Sequence, residues 1–286
     1  MAEMTLDRLL AETRHALSRT AAESAGLDAR LLVEHFTGTS RIDALRNPDM
    51  AVAASAVAAV GRAVERRVAG EPVHRIIGER EFHGLPLRLS RGTLEPRPDT
   101  EVLADLAIAQ ARLVADRTGR CRLLDLGTGT GAVALAVLHD VPEACALGVD
   151  ILPDALETAA TNADINGVGT RFATRESNWF DAIDGTFHII VSNPPYISTS
   201  EMAELPHEVK GYDPHLALHG GEDGLNAYRA IADGAAARLE DQGIVAVEIG
   251  YRQRDAVVEL FERRGYALLE SARDFGGNDR ALVFSI

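Results

Sequence analysis

Apolar residues at Leu6, Leu9, Leu10 and Leu17, with Thr13 on the same stripe, recur at helical spacing, and Thr5 stands where it can cap the first turn. Leu27, Leu31, Leu32 and Phe36 repeat that period. A third stretch, from about Met50 to Val68, is rich in Ala and carries Val57, Val60, Val64 and Val68, with Arg62, Glu65, Arg66 and Arg67 crowded near its end. The pattern predicts a small helical bundle over residues 1 to about 70, with the arginines on a solvated helix face. Pro72 interrupts it and the period then changes to two. Leu85, Leu87 and Leu89 alternate with Pro86, Arg88 and Ser90 between Gly84 and Gly92, which predicts a short hairpin. From Arg122 the chain reads strand then helix, repeatedly. Strands are expected at Arg122 to Leu126, Ala146 to Val149, His188 to Ser192, Gly243 to Ile249 and Ala281 to Ile286, and helices at Gly131 to His139 and Pro153 to Ile165. Such alternation predicts an α/β fold, a mostly parallel sheet covered on both faces. The expected division is a helical domain over 1–75, a hairpin linker over 76–96 and an α/β domain over 97–286.

Composition narrows the class of protein. With 46% hydrophobic and 25% charged residues, the 286-residue chain has the mixture of a folded globular protein. The longest apolar run, Ala51 to Val60, is far shorter than the roughly 20 residues of a membrane span, so no membrane association is expected. The N-terminus lacks the basic flank and apolar run of a secretory leader, which places the expected location in the cytoplasm. In that reducing compartment Cys121 and Cys145, both at strand edges, are expected as buried thiols. The net charge of −14 disfavours a protein that holds nucleic acid by its phosphates. Residues 1 to 75 carry ten basic and ten acidic residues, so the whole excess, 33 acidic against 19 basic, lies in residues 76 to 286. The nine histidines include no pair at metal-ligand spacing with a cysteine or carboxylate partner, and no metal is expected.

Two constellations carry chemistry. Gly127, Thr128, Gly129, Thr130 and Gly131 join a strand to a helix, where glycines let a ligand approach the backbone and the helix start offers free N–H groups. Asp150, about twenty residues on, ends the next strand, where a carboxylate can accept both hydroxyl protons of a ribose. These residues alone suit a nicotinamide cofactor and S-adenosylmethionine equally. The second constellation, Asn193, Pro194, Pro195 and Tyr196, follows the buried strand Ile189 to Ser192. Two prolines stiffen the corner and remove two donors, leaving the Asn193 amide oxygen and the Pro194 carbonyl to accept from one NH2 group. An amide nitrogen is a poor nucleophile because its lone pair is delocalised. Holding both N–H bonds out of the amide plane favours the geometry from which it can attack. Tyr196 supplies a ring to stack on a flat amide, near a positive sulfonium. This corner selects S-adenosylmethionine and an amino-methyl transfer.

The Asn193 to Tyr196 tetrad resembles the motif of enzymes that methylate exocyclic amines of adenine or cytosine and the side-chain amide of glutamine. Pro96 to Glu101, Glu71 and Pro72 with Ile76 to Gly78, Ser177 to Phe180, Glu248 to Gly250 with Gln253, and Asn278 to Arg280 are similar to segments of the peptide chain release factor glutamine methyltransferase family. The resemblance covers nearly the whole chain. It implies a class I S-adenosylmethionine-dependent methyltransferase, a Rossmann-like domain with a mostly parallel seven-stranded sheet, preceded by a helical substrate-docking bundle. It also implies Trp179 as the neighbour of the cofactor adenine, and methylation of the glutamine in the Gly-Gly-Gln motif of release factors. A large-subunit ribosomal protein is the alternative substrate and nucleic-acid adenine a more distant one. Two positions depart from the family pattern: Glu95 replaces a usual apolar residue before Pro96, and Asp213 replaces a commoner Glu before Pro214.

Overall fold

Leu6, Leu9, Thr13 and Leu17 form the buried stripe of α1 (Leu6–Leu17), whose first turn is capped by the Thr5 hydroxyl accepting from the Arg8 amide at 3.4 Å. In this computed structural model the described residues are 3–19 and 23–286. Met1 and Ala2, which open the stretch read for a leader, and Thr20 to Ala22 lie outside the described residues. α2 (Ala25–Thr37) ends on Gly38, at φ 69°. α4 (Ala54–Val68) contributes Ala63 to a cluster with Leu17 and Leu32, and Val60 to another with Leu6 and Val33. Two helices too short to show a period complete the bundle: α3 (Arg41–Arg46), held by a Ser40–Asp43 capping box, and α5 (Val73–Ile77). Pro72 therefore opens one more turn instead of ending the helical region, since the first turn of a helix does not need the N–H that proline lacks.

Arg62 and Arg66 are exposed as expected, but Arg67 is only 7% exposed and corrects the reading of a wholly solvated face. Positions 60, 63 and 67 share one stripe of α4, so residue 67 points inward and its charge must be matched there. Its guanidinium bonds Asp28 of α2 and Glu208 of α10 (His207–Tyr212, numbered in chain order), each at 2.7 Å. The chain divides into two units, Met1–Gly78 with His207–Tyr212, and Glu79–Pro206 with Asp213–Ile286.

The second unit opens with the hairpin β1 (Glu79–Phe82) and β2 (Leu85–Arg88), turned by His83 and Gly84, both at positive φ. Its main sheet has seven strands: β3 (Cys121–Leu126), β4 (Ala144–Asp150), β5 (Phe172–Glu176), β6 (Phe187–Ser192), β7 (Leu239–Glu248), β8 (Ala267–Arg273) and β9 (Asp279–Ser285). The order across it is β5-β4-β3-β6-β7-β9-β8, parallel except for β9, which runs antiparallel to both neighbours. The seven strands agree with what the family resemblance implies.

Successive strand residues supply opposite faces. Leu123, Ile189, Val191 and Ala246 pack with α6 (Glu101–Thr118), α7 (Ala132–Asp140) and α8 (Pro153–Ile165). Leu124, Ile190, Val245 and Val247 pack with α12 (Asn226–Ala235) and α13 (Arg254–Glu262). Burial on both sides is why these strands read as continuous apolar runs. Two short helices, α9 (Thr199–Glu204) and α11 (His215–Leu218), follow β6.

The two cysteines differ. Cys121 is buried, which pushes its thiol up to about 12, whereas Cys145 is exposed, contrary to expectation. β4 alternates Ala144 inward with Cys145 outward, and an edge-side pleat is open to solvent. Glu95, the departure with an unusual charge, is buried and forms an ion pair with Arg80 of β1. Asp213 keeps the family's charge and bonds Arg97 at 2.5 Å.

Candidate active site

From β3 the chain winds outward through β4 to β5, then returns to lay β6 on the other side of β3. Beyond the carboxyl ends of β3 and β6 the connections part, and α/β sheets open a crevice at such a point. Here that crevice is lined by the Gly127–Thr130 loop, Asp150, Trp179, Asn193 and Pro195, and also by Thr100 and Asp125.

The loop after β3 has Gly127, Gly129 and Gly131 at φ 69°, 54° and 83°. A Cβ added at Gly127 or Gly129 would meet no atom within 4 Å, so both border open space that a ligand can enter. Gly131 differs: a Cβ there would press on Leu135 at 3.1 Å, because this residue seats the loop on α7. The loop is braced from below. Thr128 Oγ1 donates to Asp125 at 2.7 Å, and burial pushes the Asp125 carboxyl up to about 7. Asn162 of α8, fully buried, donates to the Thr130 carbonyl at 2.9 Å and exchanges bonds with Arg88 at 2.8 and 3.1 Å, tying loop, helix and hairpin together.

Asp150 ends β4 and accepts from the Gly129 amide at 3.1 Å and the Leu152 amide at 3.0 Å. Burial raises its pKa against the lowering effect of those backbone donors. Trp179 lies farther round the same crevice at φ 50°, a left-handed backbone rare for a bulky residue. Ser177 stabilises that turn, donating to the Trp179 carbonyl at 2.9 Å and accepting from the Ala182 amide at 3.0 Å. A nucleoside cofactor fits this set of groups: an open glycine cradle, one carboxylate and one aromatic ring along one wall.

The tetrad after β6 divides. Asn193 and Pro195 line the crevice, while Pro194 and Tyr196 are absent from its wall. Tyr196 packs on the core cluster of α12 and α13, and its hydroxyl donates to Glu248 at 3.3 Å. Burial raises its pKa well above the ordinary range, so it stays a neutral phenol. Asn193 Nδ2 donates to Thr100 Oγ1 at 3.2 Å, which engages the donor end of the amide and leaves Oδ1 to accept from a ligand. Thr100 and Glu248 were not singled out as site residues by sequence. Their signals were present, in the Pro96–Glu101 segment and in a lone acid closing the apolar run Ile244 to Val247. Among the described residues no cluster of His, Cys, Asp or Glu could hold a metal, and no helix is long and apolar enough to cross a membrane.

Residues 8–78 match the family described as PrmC N-terminal domain, and residues 109–208 match the methyltransferase small domain. A release factor glutamine methyltransferase of Agrobacterium fabrum is 49% identical over 99% of this chain and 98% of its own length. One of Bradyrhizobium diazoefficiens is 44% identical over 81% of this chain and 77% of its own. The crystal structure of a ribosomal protein L11 methylase from Lactobacillus delbrueckii subsp. bulgaricus superposes with a TM-score of 0.51 at 21% identity, covering 70% of this chain and 84% of that one, a likeness of fold. The sheet order, the glycine cradle at the switch point and similarity over nearly the full length agree: the chain has the class I S-adenosylmethionine-dependent methyltransferase fold and belongs to the release factor glutamine methyltransferase family.

Proposed function

We propose that the protein transfers a methyl group from S-adenosylmethionine to the side-chain amide nitrogen of the glutamine in the Gly-Gly-Gln motif of peptide chain release factors. The observation that carries this reading is Asn193 on the wall of the crevice that also holds the glycine cradle and Asp150, its amide held by Thr100 at the donor end. Near full-length similarity to relatives named for that activity supports the substrate.

Gly127 and Gly129 would leave room for the cofactor's polar end, with Thr128 and Thr130 bordering it and Gly131 seating the loop on α7. Asp150 would take the ribose hydroxyls, Trp179 would flank the adenine and Asn193 would border the reactive end, all three lining the same crevice. When bound, S-adenosylmethionine supplies an electrophilic methyl on a positively charged sulfur. Asn193 Oδ1, on the crevice wall, and the carbonyl of the next residue, Pro194, off that wall, would accept the two protons of the substrate NH2 and orient its nitrogen. Pro195 keeps the corner rigid. Tyr196, anchored on Glu248, supports it from the core side. Alignment of the two reactants is the main source of acceleration. Substrate docking is assigned to the helical unit, residues 1–75, and transfer to residues 97–286, with 76–96 as the connection; the reading requires neither nucleic acid nor membrane.

The test uses purified protein, labelled S-adenosylmethionine and release factors whose Gly-Gly-Gln loop is intact or has its Gln replaced. Label on the intact factor alone is the expected result. Equal labelling of both factors, or label on a large-subunit ribosomal protein and none on the factors, would overturn the assignment.

A further inference from the structure

Glu248 closes β7 and is 2% exposed, beside the strand that leads into the Asn193 corner. The parallel register pairs Ser192 with Val247, so the next residues along, Asn193 just past β6 and Glu248 still paired with Ala281 of β9, stand at the same level. The Tyr196 hydroxyl donates to Glu248 Oε1 at 3.3 Å, and the Thr100 side chain lies near enough to the carboxyl to act on its charge. Thr100 in turn accepts from Asn193 Nδ2 at 3.2 Å.

A hydroxyl has one proton, and its direction decides the rest. Because Thr100 Oγ1 accepts from Asn193, its own proton is free to go to the carboxylate. A Thr100 proton drawn toward the carboxylate keeps the hydroxyl an acceptor for Asn193, whose amide is held with its nitrogen toward Thr100 and its oxygen available to the substrate. Packing gives no reason for an acid at this position. Glu248 Oε2 is buried and has no hydrogen-bond partner among the described residues, a costly arrangement that an apolar side chain would avoid.

We propose that Glu248 is a positioning residue for methyl transfer, which through Thr100 sets the acceptor end of the Asn193 amide toward the substrate and through Tyr196 holds the corner after β6. The inference rests on Asn193 receiving the substrate amide, as proposed above. It has a pH signature. Burial pushes the Glu248 carboxyl up to about 7, opposed by Thr100, Arg280 and Tyr196 and reinforced by Asp99. Tyr228 donates to the Glu248 backbone carbonyl at 2.9 Å, and Arg280 is itself paired with Asp274 at 2.8 Å and Asp99 at 3.1 Å. The ionised carboxylate only accepts. Once protonated, it can donate to Thr100 and turn the hydroxyl toward Asn193, reversing the amide.

The experiment measures kcat for transfer to a release factor by wild type, Glu248→Gln and Thr100→Val from about pH 5.5 to 9, with cofactor binding by calorimetry and Tm. In wild type kcat rises through about pH 7, and this rise is missing in Glu248→Gln. Both variants lose about tenfold to a hundredfold in kcat, the scale of misplacing a reacting group by about 1 Å. Cofactor Kd stays within about threefold and Tm at pH 8 is not lowered in Glu248→Gln. A Glu248→Gln enzyme with wild-type kcat and an unchanged acid limb overturns the proposal, as does a loss of kcat that follows a loss of Tm. Absence of label on any release factor with wild type would count against the substrate instead. The relay is then judged by the NMR signal of the Asn193 side-chain amide, which should titrate near pH 7 in wild type and not in Glu248→Gln; a signal that does not titrate in wild type refutes it.

Discussion

Asn193 can offer an acceptor to a substrate only while its nitrogen is engaged elsewhere, and Thr100 engages it at 3.2 Å. Replacing Asn193 by Ala removes the acceptor and leaves the glycine cradle and Asp150 untouched. Cofactor affinity measured by calorimetry should stay within a few fold, while single-turnover transfer falls by about a hundredfold or more, the scale of removing one group that orients the reacting atoms. Transfer near the wild-type rate would remove Asn193 from its assigned role. Trp179 and Asp125 show how local conformation and burial tune the same crevice. The first holds a left-handed backbone fixed by Ser177, and the second a carboxyl raised to about 7 that braces the loop through Thr128.

The loop between β3 and α7 is only as rigid as the elements beneath it, and Asn162 of α8 carries much of that support with three bonds to Thr130 and Arg88. Asn162→Ala would leave buried backbone groups unsatisfied, at about 1–3 kcal/mol each. The expected outcome is a clear fall in the unfolding midpoint by calorimetry, with cofactor affinity weakened several-fold because the cradle loosens. An unchanged midpoint would mean that water replaces all three bonds. In the helical unit a comparable demand falls on Arg67, whose place on the inward stripe of α4 is tolerable because Asp28 and Glu208 reach it from α2 and α10.

At the scale of the whole molecule, buried acids connect stability to pH. Asp125 and Glu248 are raised from 3.8 and 4.5 to about 7, so between about pH 4 and 7 the folded chain holds protons that the unfolded chain has released. Stability therefore falls as pH rises through that window and levels off above it. Asp274 acts oppositely: Arg280 holds it at about 2, so its contribution is present above about pH 4 and is lost below. A Tm series from about pH 5 to 8 should decline toward neutrality, and Asp125→Asn should flatten the decline. A wild-type Tm that climbs over the same range would contradict the burial of these carboxyls. The protein is then somewhat less stable at the pH where the ionised Glu248 serves transfer best.

From sequence alone the long periodic segments were legible: α1, α2, α4, α7, α8 and the inner strands, together with the glycine loop, Asp150 and the Asn193 tetrad, since each is a run of neighbours whose pattern reports burial directly. α6 and the edge strands β5 and β8 were not. α6 exposes Asp105, Arg112, Asp116 and Arg117 at helical spacing, but half of its buried residues are alanines, which mark a period weakly, and β5 and β8 are mostly exposed, with no apolar alternation. Contacts between distant positions were beyond reach in the same way. Tyr196 meets Glu248 across 52 residues because β6 and β7 lie side by side in one register, and Thr100 meets Asn193 across 93 because α6, which Thr100 opens, packs against β6. One-dimensional pattern determined which residues are buried and which turns can hold a ligand. Only the order of strands in the sheet decided which polar groups face one another there, and so which end of the Asn193 amide is left for the substrate.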